Sequence, residues 1–171
     1  LTLNPDATGF WEVVKEDDPY IFAEKINAAV NAAESDDFMI IARIESLIAG
    51  ENADDALDRA TVYIEAGADA VVIHSRTRDA EDIFRFSEEF KENYPDIPLI
   101  MIPTAYNTFS DTELRSKGAD IIIYANHLMR SAYMAMQKTA EDILRRGSTS
   151  NADENWCAPV YNILKMIDGE R

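Results

Sequence analysis

The stretch Ala66-Gly67-Ala68-Asp69-Ala70-Val71-Val72-Ile73-His74 decides the fold of this chain, because Lys117-Gly118-Ala119-Asp120-Ile121-Ile122-Ile123 nearly repeats it. Each copy reads as a glycine that ends a helix in a left-handed conformation, an Ala-Asp step, and an apolar strand. A strand that is apolar at every position is covered on both faces, as strands of parallel sheets are. Two further runs end in the same way: Met39-Ile40-Ile41-Ala42 stops at Arg43, and Leu99-Ile100-Met101-Ile102 stops at Pro103-Thr104. The repeat unit itself runs into Tyr124-Ala125-Asn126. Strand starts recur roughly every 20 to 30 residues, the spacing of βα units. Ligands of parallel α/β sheets sit at the carboxyl ends of the strands. Arg43, Glu45, His74, Ser75, Thr104 and Asn126 are therefore expected to line one rim.

The segments between the strands read as helices. Asp18-Pro19 is a cap and first helical residue for a helix over 20–33, with Phe22, Ile26, Ala29, Val30 and Ala33 on one stripe. The first strand is expected over 38–44 and a loop over 46–50. Asn52 can cap a helix over 53–66, and Asp79 one over 80–93. Ser110 and Glu113 form a capping box. A long helix is expected over 127–146, closed by Gly147, followed by a polar linker over 148–155 and a last helix from Pro159. Met129, Met134 and Met136 are expected to be core, and the Phe10-Trp11 pair to pack on a neighbouring element.

The fold class is thus α/β with four parallel βα units over 19–147, a linker and C-terminal helix over 148–171, and a single segment over 1–171. A closed barrel needs eight such units and about 250 residues. The chain reads either as half of a TIM-like barrel or as a small open doubly wound sheet. No G-x-G-x-x-G or Walker loop supports a nucleotide-binding reading.

Composition narrows the function further. With 171 residues and 47% apolar content the chain can bury a real core. Its 32 acidic against 16 basic residues, a net charge of −16, disfavour nucleic acid and anionic membrane surfaces as partners. The lone Cys157 cannot form an intramolecular disulfide, which fits a cytoplasmic protein, and it reads as a packing residue. No apolar run approaches the roughly 18 residues of a membrane span. A start at Leu1 instead of Met reads as a trimmed or excised piece of a longer chain.

Arg43 and Glu45 stand two apart at a strand end and so share a face. An arginine there can hold a phosphoryl or carboxylate group through parallel hydrogen bonds, or it can simply pair with Glu45. His74 can relay a proton or stabilise an oxyanion, or serve as a hydrogen-bonded structural histidine. Thr104 and Asn126 offer neutral donors. His127 opens a helix and reads as structural, while Arg76 and Arg78 read as solvated. No group of residues has metal-ligand spacing.

Four blocks together resemble the phosphoenolpyruvate mutase branch of the isocitrate lyase superfamily. They are Ile41-Ala42-Arg43-Ile44-Glu45-Ser46-Leu47-Ile48-Ala49-Gly50, Ala66 through Ser75, Ile102-Pro103-Thr104-Ala105-Tyr106, and Tyr124-Ala125-Asn126-His127-Leu128-Met129-Arg130. The resemblance implies a TIM-like barrel whose last helix exchanges between subunits. It also implies a Mg²⁺-dependent reaction on phosphoenolpyruvate or phosphonopyruvate. Arg43 and His74 would grip the phosphoryl or phosphonyl group, with Thr104 and Asn126 on the rim. The family's first half, which supplies the Asp-x-Asp magnesium site and the gating loop, has no counterpart here. The expected function is a mutase-like isomerase of phosphonate biosynthesis, inactive as this chain alone and completed by an N-terminal half or another copy. Phosphonopyruvate hydrolase, a carbon–carbon lyase of the superfamily, and a non-catalytic half-barrel assembly module are the alternatives.

Overall fold

The computed structural model describes residues 16–35 and 37–167, and the Phe10-Trp11 pair lies outside them. Its elements run α1 (Pro19–Ala32), β1 (Ile41–Ile44), α2 (Ser46–Ala49), α3 (Ala53–Glu65), β2 (Ala70–Ile73) and α4 (Glu81–Asn93). They continue with β3 (Leu99–Met101), α5 (Asp111–Ser116), β4 (Ile121–Ile122), α6 (His127–Arg146), α7 (Ser150–Asn155) and α8 (Val160–Ile167). By its contacts the chain divides into two compact units, Leu1–Ala125 and Asn126–Arg171. The long helix α6 therefore groups with the C-terminal helices. Among the described residues no helix is long and apolar enough to cross a membrane.

In the first unit the four strands form one parallel sheet in the order β1-β2-β3-β4. Register sets two faces apart. Ala42, Ile44, Val71, Ile73, Leu99 and Met101 join the helix-facing core with Tyr63, Ile83, Phe86, Phe90 and Leu114. The other face carries Ala70, Val72, Ile100 and Ile102 as a second buried cluster. Ile41, in register with Ala70, and Ile121, in register with Ile100, share that second face and are 43% and 41% exposed. The strand apolar on both faces is thus most fully buried at the middle of the sheet, in β2 and β3.

The repeated Gly-Ala-Asp segment has a structural task at the amino ends of the strands. Asp69 accepts from Ile40 N at 2.7 Å, while its own N–H donates to Ile40 O at 2.8 Å. Asp120 does the same one layer along: its carboxylate accepts from Leu99 N at 2.7 Å, and its N–H donates to Leu99 O at 2.9 Å. Each aspartate so closes the first ladder position that strand pairing has not reached, and pins the register to its neighbour. Asp120 also pairs with Lys91 of α4 at 2.6 Å. The preceding glycines hold φ of +99° and +96°, in the left-handed region.

Local signals acted largely as expected at the helix starts. Asp18 caps α1 through its side chain, and capping boxes form at Asn52 and Ser110. At α4 the cap is instead Ala80, with φ 58°, while Asp79 reaches only Glu81 N at 3.4 Å. Three expectations are corrected. The first strand begins at Ile41, not at residue 38, because pairing starts where β2 supplies a partner, and Phe38 and Met39 are exposed. The expected loop after Glu45 contains the helical turn α2, whose Ile48 and Ala49 N–H groups donate to Glu45 O.

The third correction lies in the second unit, where the expected polar linker contains α7. Asp142 of α6, nearly buried, accepts from Arg145 at 2.9 Å, Arg146 at 2.8 Å and Asn151 of α7 at 2.9 Å. Trp156 Nε1 donates to Thr139 at 2.9 Å. These bonds gather a polar segment into a helix that composition alone reads as linker. Met129, Met134 and Met136, expected as core, stand exposed on α6, and Cys157, expected as packing, is exposed. Helical spacing shows that an apolar stripe exists, not what covers it.

Candidate functional site

The site grows from the pairing of β1 with β2. Because Arg43 is in register with Val72 and Ile44 with Ile73, the residues that follow, Glu45 and His74, leave adjacent strands at the same level. Arg43 Nε donates to Glu45 Oε1, and His74 Nδ1 lies 3.0 Å from Glu45 Oε2. Arg43 Nη2 lies 2.8 Å from the same His74 nitrogen. Glu45 is 5% exposed, whereas the Arg43 side chain is 47% exposed. A buried carboxylate thus sits between a cation that reaches solvent and an imidazole.

Burial pushes the Glu45 carboxyl toward its neutral form, but the hydrogen bonds from His74 and Arg43 outweigh it and hold the pKa below the ordinary value. Glu45 stays ionised, and its two oxygens are both engaged. Its backbone sits at φ −112°, ψ 11°, the sparsely populated bridge region in which residues of functional sites often lie.

A second layer holds this triad from behind. The Glu16 carboxylate accepts from Glu45 N at 2.6 Å and from Ser46 Oγ at 2.7 Å. Arg59 Nε pairs with Glu16 at 3.0 Å, and Arg59 Nη1 also donates to Asp17 O and the Tyr63 hydroxyl. Burial raises the pKa of Glu16 against the lowering effect of those donors. No local spacing could have found this layer, since Glu16, Glu45 and Arg59 come from three separate segments. A cavity of about 190 Å³ opens beside it, lined by Glu16, Asp17, Phe22, Arg43, Glu45 and Tyr63. Those walls set three carboxylates against one guanidinium.

Of the expected rim residues, the structure joins Arg43, Glu45 and His74. Ser75 is buried, with its hydroxyl 2.9 Å from Thr77 Oγ1 and accepting from Thr77 N, so it shapes the loop after β2. Thr104 follows β3 in a turn in which its N–H donates to Ile102 O at 2.8 Å. Asn126 belongs to the second unit, where it precedes α6 with no side-chain capping bond and a shielded Oδ1. Among the described residues no group of three or more His, Cys, Asp or Glu is placed to hold a metal ion.

Residues 12–144 match the family model described as phosphoenolpyruvate phosphomutase. The chain belongs to that family. It is 37% identical over 145 residues to the phosphoenolpyruvate phosphomutase of Tetrahymena pyriformis, an alignment covering 85% of this chain and 47% of that protein. The crystal structure of phosphoenolpyruvate phosphomutase from Streptomyces platensis subsp. rosaceus superposes with a TM-score of 0.84 at 36% identity, over 91% of this chain and 53% of the other. A phosphonopyruvate hydrolase structure in complex with oxalate and Mg²⁺ superposes with a TM-score of 0.81 at 34% identity, over 99% of this chain and 57% of the other. The chain spans about half the length of these relatives and corresponds to their C-terminal half. Four parallel βα units where the family builds a TIM barrel are thus half of the architecture, which decides between the two folds the sequence left open.

Proposed function

We propose that this chain is the anion-gripping half of a mutase-like enzyme that interconverts phosphoenolpyruvate and phosphonopyruvate. The observation that carries the reading is the contact of Arg43 and His74 across two neighbouring strand ends, both braced by one buried carboxylate. Phosphoryl transfer passes through a loose transition state with charge spread over the phosphoryl oxygens, so the protein's task is to position and stabilise that charge. Arg43 suits it: its guanidinium is permanently charged, half exposed, and oriented through Nε, which leaves terminal N–H groups for a phosphoryl or phosphonyl oxygen. His74 sits at the same level and, through Nδ1, meets both Arg43 and Glu45. The Thr104 hydroxyl is a neutral donor assigned to the rim, and Asn126, in the other unit, is given no place in it.

Mg²⁺ would supply charge neutralisation at the substrate's carboxylate and enolate oxygens, as the neighbour holding oxalate and Mg²⁺ suggests. The described residues do not form a magnesium site, so its ligands are assigned to the half of the enzyme that this chain does not span. That half, or a second copy of the chain, would also cover the edge strands β1 and β4.

The test is ³¹P NMR of phosphonopyruvate with the enzyme assembled from this chain, its complementing half and Mg²⁺. Appearance of the phosphoenolpyruvate resonance supports the mutase. Release of inorganic phosphate alone replaces it with the hydrolase, which the likeness to phosphonopyruvate hydrolase favours as second reading. R43A is expected to lower kcat/KM by about 10²-fold or more, the cost of one transition-state charge contact. Unchanged substrate in the assembled enzyme would end the proposal.

A further inference from the structure

His74 Nδ1 makes two contacts that exclude one another. It lies 3.0 Å from Glu45 Oε2, to which it must donate a proton, and 2.8 Å from Arg43 Nη2, from which it must accept one. A ring nitrogen carries either a proton or an in-plane lone pair, so only one bond exists at a time. Burial decides which. If Nδ1 accepted from Arg43, the Glu45 Oε2 oxygen, on a side chain 6% exposed, would lose its donor, and a buried ionised oxygen without a partner is costly. The alternative strands only a terminal N–H of Arg43, whose side chain is 47% exposed and can reach water or an anion.

We propose that Glu45 is a positioning residue that holds His74 in its Nδ1–H tautomer and thereby releases Arg43 Nη2 for an anion. Arg43 remains anchored to Glu45 Oε1 through Nε, so its guanidinium pivots without leaving the site. Glu45 in turn is held at its backbone by Glu16, which Arg59 pairs, so the carboxylate is fixed at the strand end from behind. The assignment of the released N–H groups to a phosphonate rests on the proposed function; the tautomer does not.

A near-isosteric change tests this. Glu45→Gln leaves one acceptor oxygen where there were two. The always-charged guanidinium of Arg43 takes it, the amide NH₂ then faces Nδ1, and the ring proton moves to Nε2, the same logic by which replacing the carboxylate of a catalytic triad with an amide yields the wrong tautomer. The ring nitrogens of His74 are read by long-range ¹H–¹⁵N correlation on the full chain at alkaline pH, assigned with His74→Asn. The wild type is expected to show a pyrrole-type Nδ1, and E45Q a pyrrole-type Nε2 with amide dispersion unchanged. Methylphosphonate, titrated into both, is expected to bind the variant about tenfold more weakly, because the lone pair now on Nδ1 competes with the anion for Arg43 Nη2. A pyrrole-type Nε2 in the wild type, or an unmoved proton in E45Q, overturns the proposal. Should E45Q unfold, Arg43→Lys, which leaves Glu45 and His74 intact, must keep the pyrrole-type Nδ1; a pyrrole-type Nε2 there overturns the proposal. If the tautomers behave as stated and methylphosphonate binds neither protein, the positioning role stands and the phosphonate reading falls.

Discussion

Removing the carboxylate of Asp120 should cost far more than removing that of Asp69, although both belong to the same repeated motif. Asp120 accepts from the N–H of Leu99, a residue with no exposed surface, and pairs with Lys91 at 2.6 Å. Losing a charge-assisted bond to a buried donor costs about 1.5–3 kcal/mol, and the half-exposed ion pair adds about 0.2–1 kcal/mol. D120A is therefore expected to lose about 2–4 kcal/mol. Asp69 accepts from Ile40 N at the solvent-accessible start of an edge strand, where water can replace it, so D69A should lose about 0.5–1 kcal/mol. D120N keeps an acceptor for Leu99 N and gives up only the charge, for a loss of under about 1 kcal/mol. Urea unfolding followed by circular dichroism at fixed pH measures all three. At about 2–4 °C per kcal/mol for a chain of this size, D120A should also melt about 4–16 °C below the wild type. If D69A costs as much as D120A, burial of the clamped N–H is not what sets the energy. If D120N is as damaging as D120A, the ion pair and not the backbone clamp is the source.

Two further outcomes follow from the same structure. A Cβ at Gly118 would come within 2.5 Å of Ser87 Oγ, which is itself bonded to Lys117 O, whereas at Gly67 it would meet Val30 Cγ2 at 3.2 Å. Both hold positive φ, so G67A should cost about 1 kcal/mol and G118A about 2–4 kcal/mol, checked by the same unfolding assay. The second concerns acid. Hydrogen bonds from Arg146 and Asn151, with a further one from Arg145, lower the pKa of Asp142 from 3.8 to about 2. Because the folded value is the lower one, its contribution is complete above the unfolded pKa and is lost as pH falls from about 4 toward 2. Hydrogen exchange of α7 amides should accelerate over that interval in the wild type, and D142N should abolish the dependence while exchanging faster at neutral pH.

Much of the candidate site was legible because its members are sequence neighbours of strand ends. Arg43 and His74 each follow an apolar run, and parallel pairing in register brings such ends together. The alternative reading of Arg43, a structural pair with Glu45, proved compatible with the functional one, since the carboxylate engages both cation and imidazole. What stayed hidden was the support. Glu16 is nearly buried against Arg59, and only the approach of the segment before α1 to α3 makes that so. The exposed Met129, Met134 and Met136 failed for the opposite reason: periodicity describes one helix, and burial requires a partner surface.

The sequence by itself determined the βα repeat, the parallel sheet and most of the helix caps, because these depend on interactions a few residues long and on apolar runs that tolerate no other pairing. Tertiary structure alone decided that Asp69 and Asp120 clamp their neighbours' strands, that Glu45 joins Arg43 to His74, and that apolar residues of the edge strands stay exposed. The physical reason is common to all three. Hydrogen-bond partners and burial are properties of chain segments brought together from 20 to 40 residues apart, and no local pattern records which donor will find which acceptor.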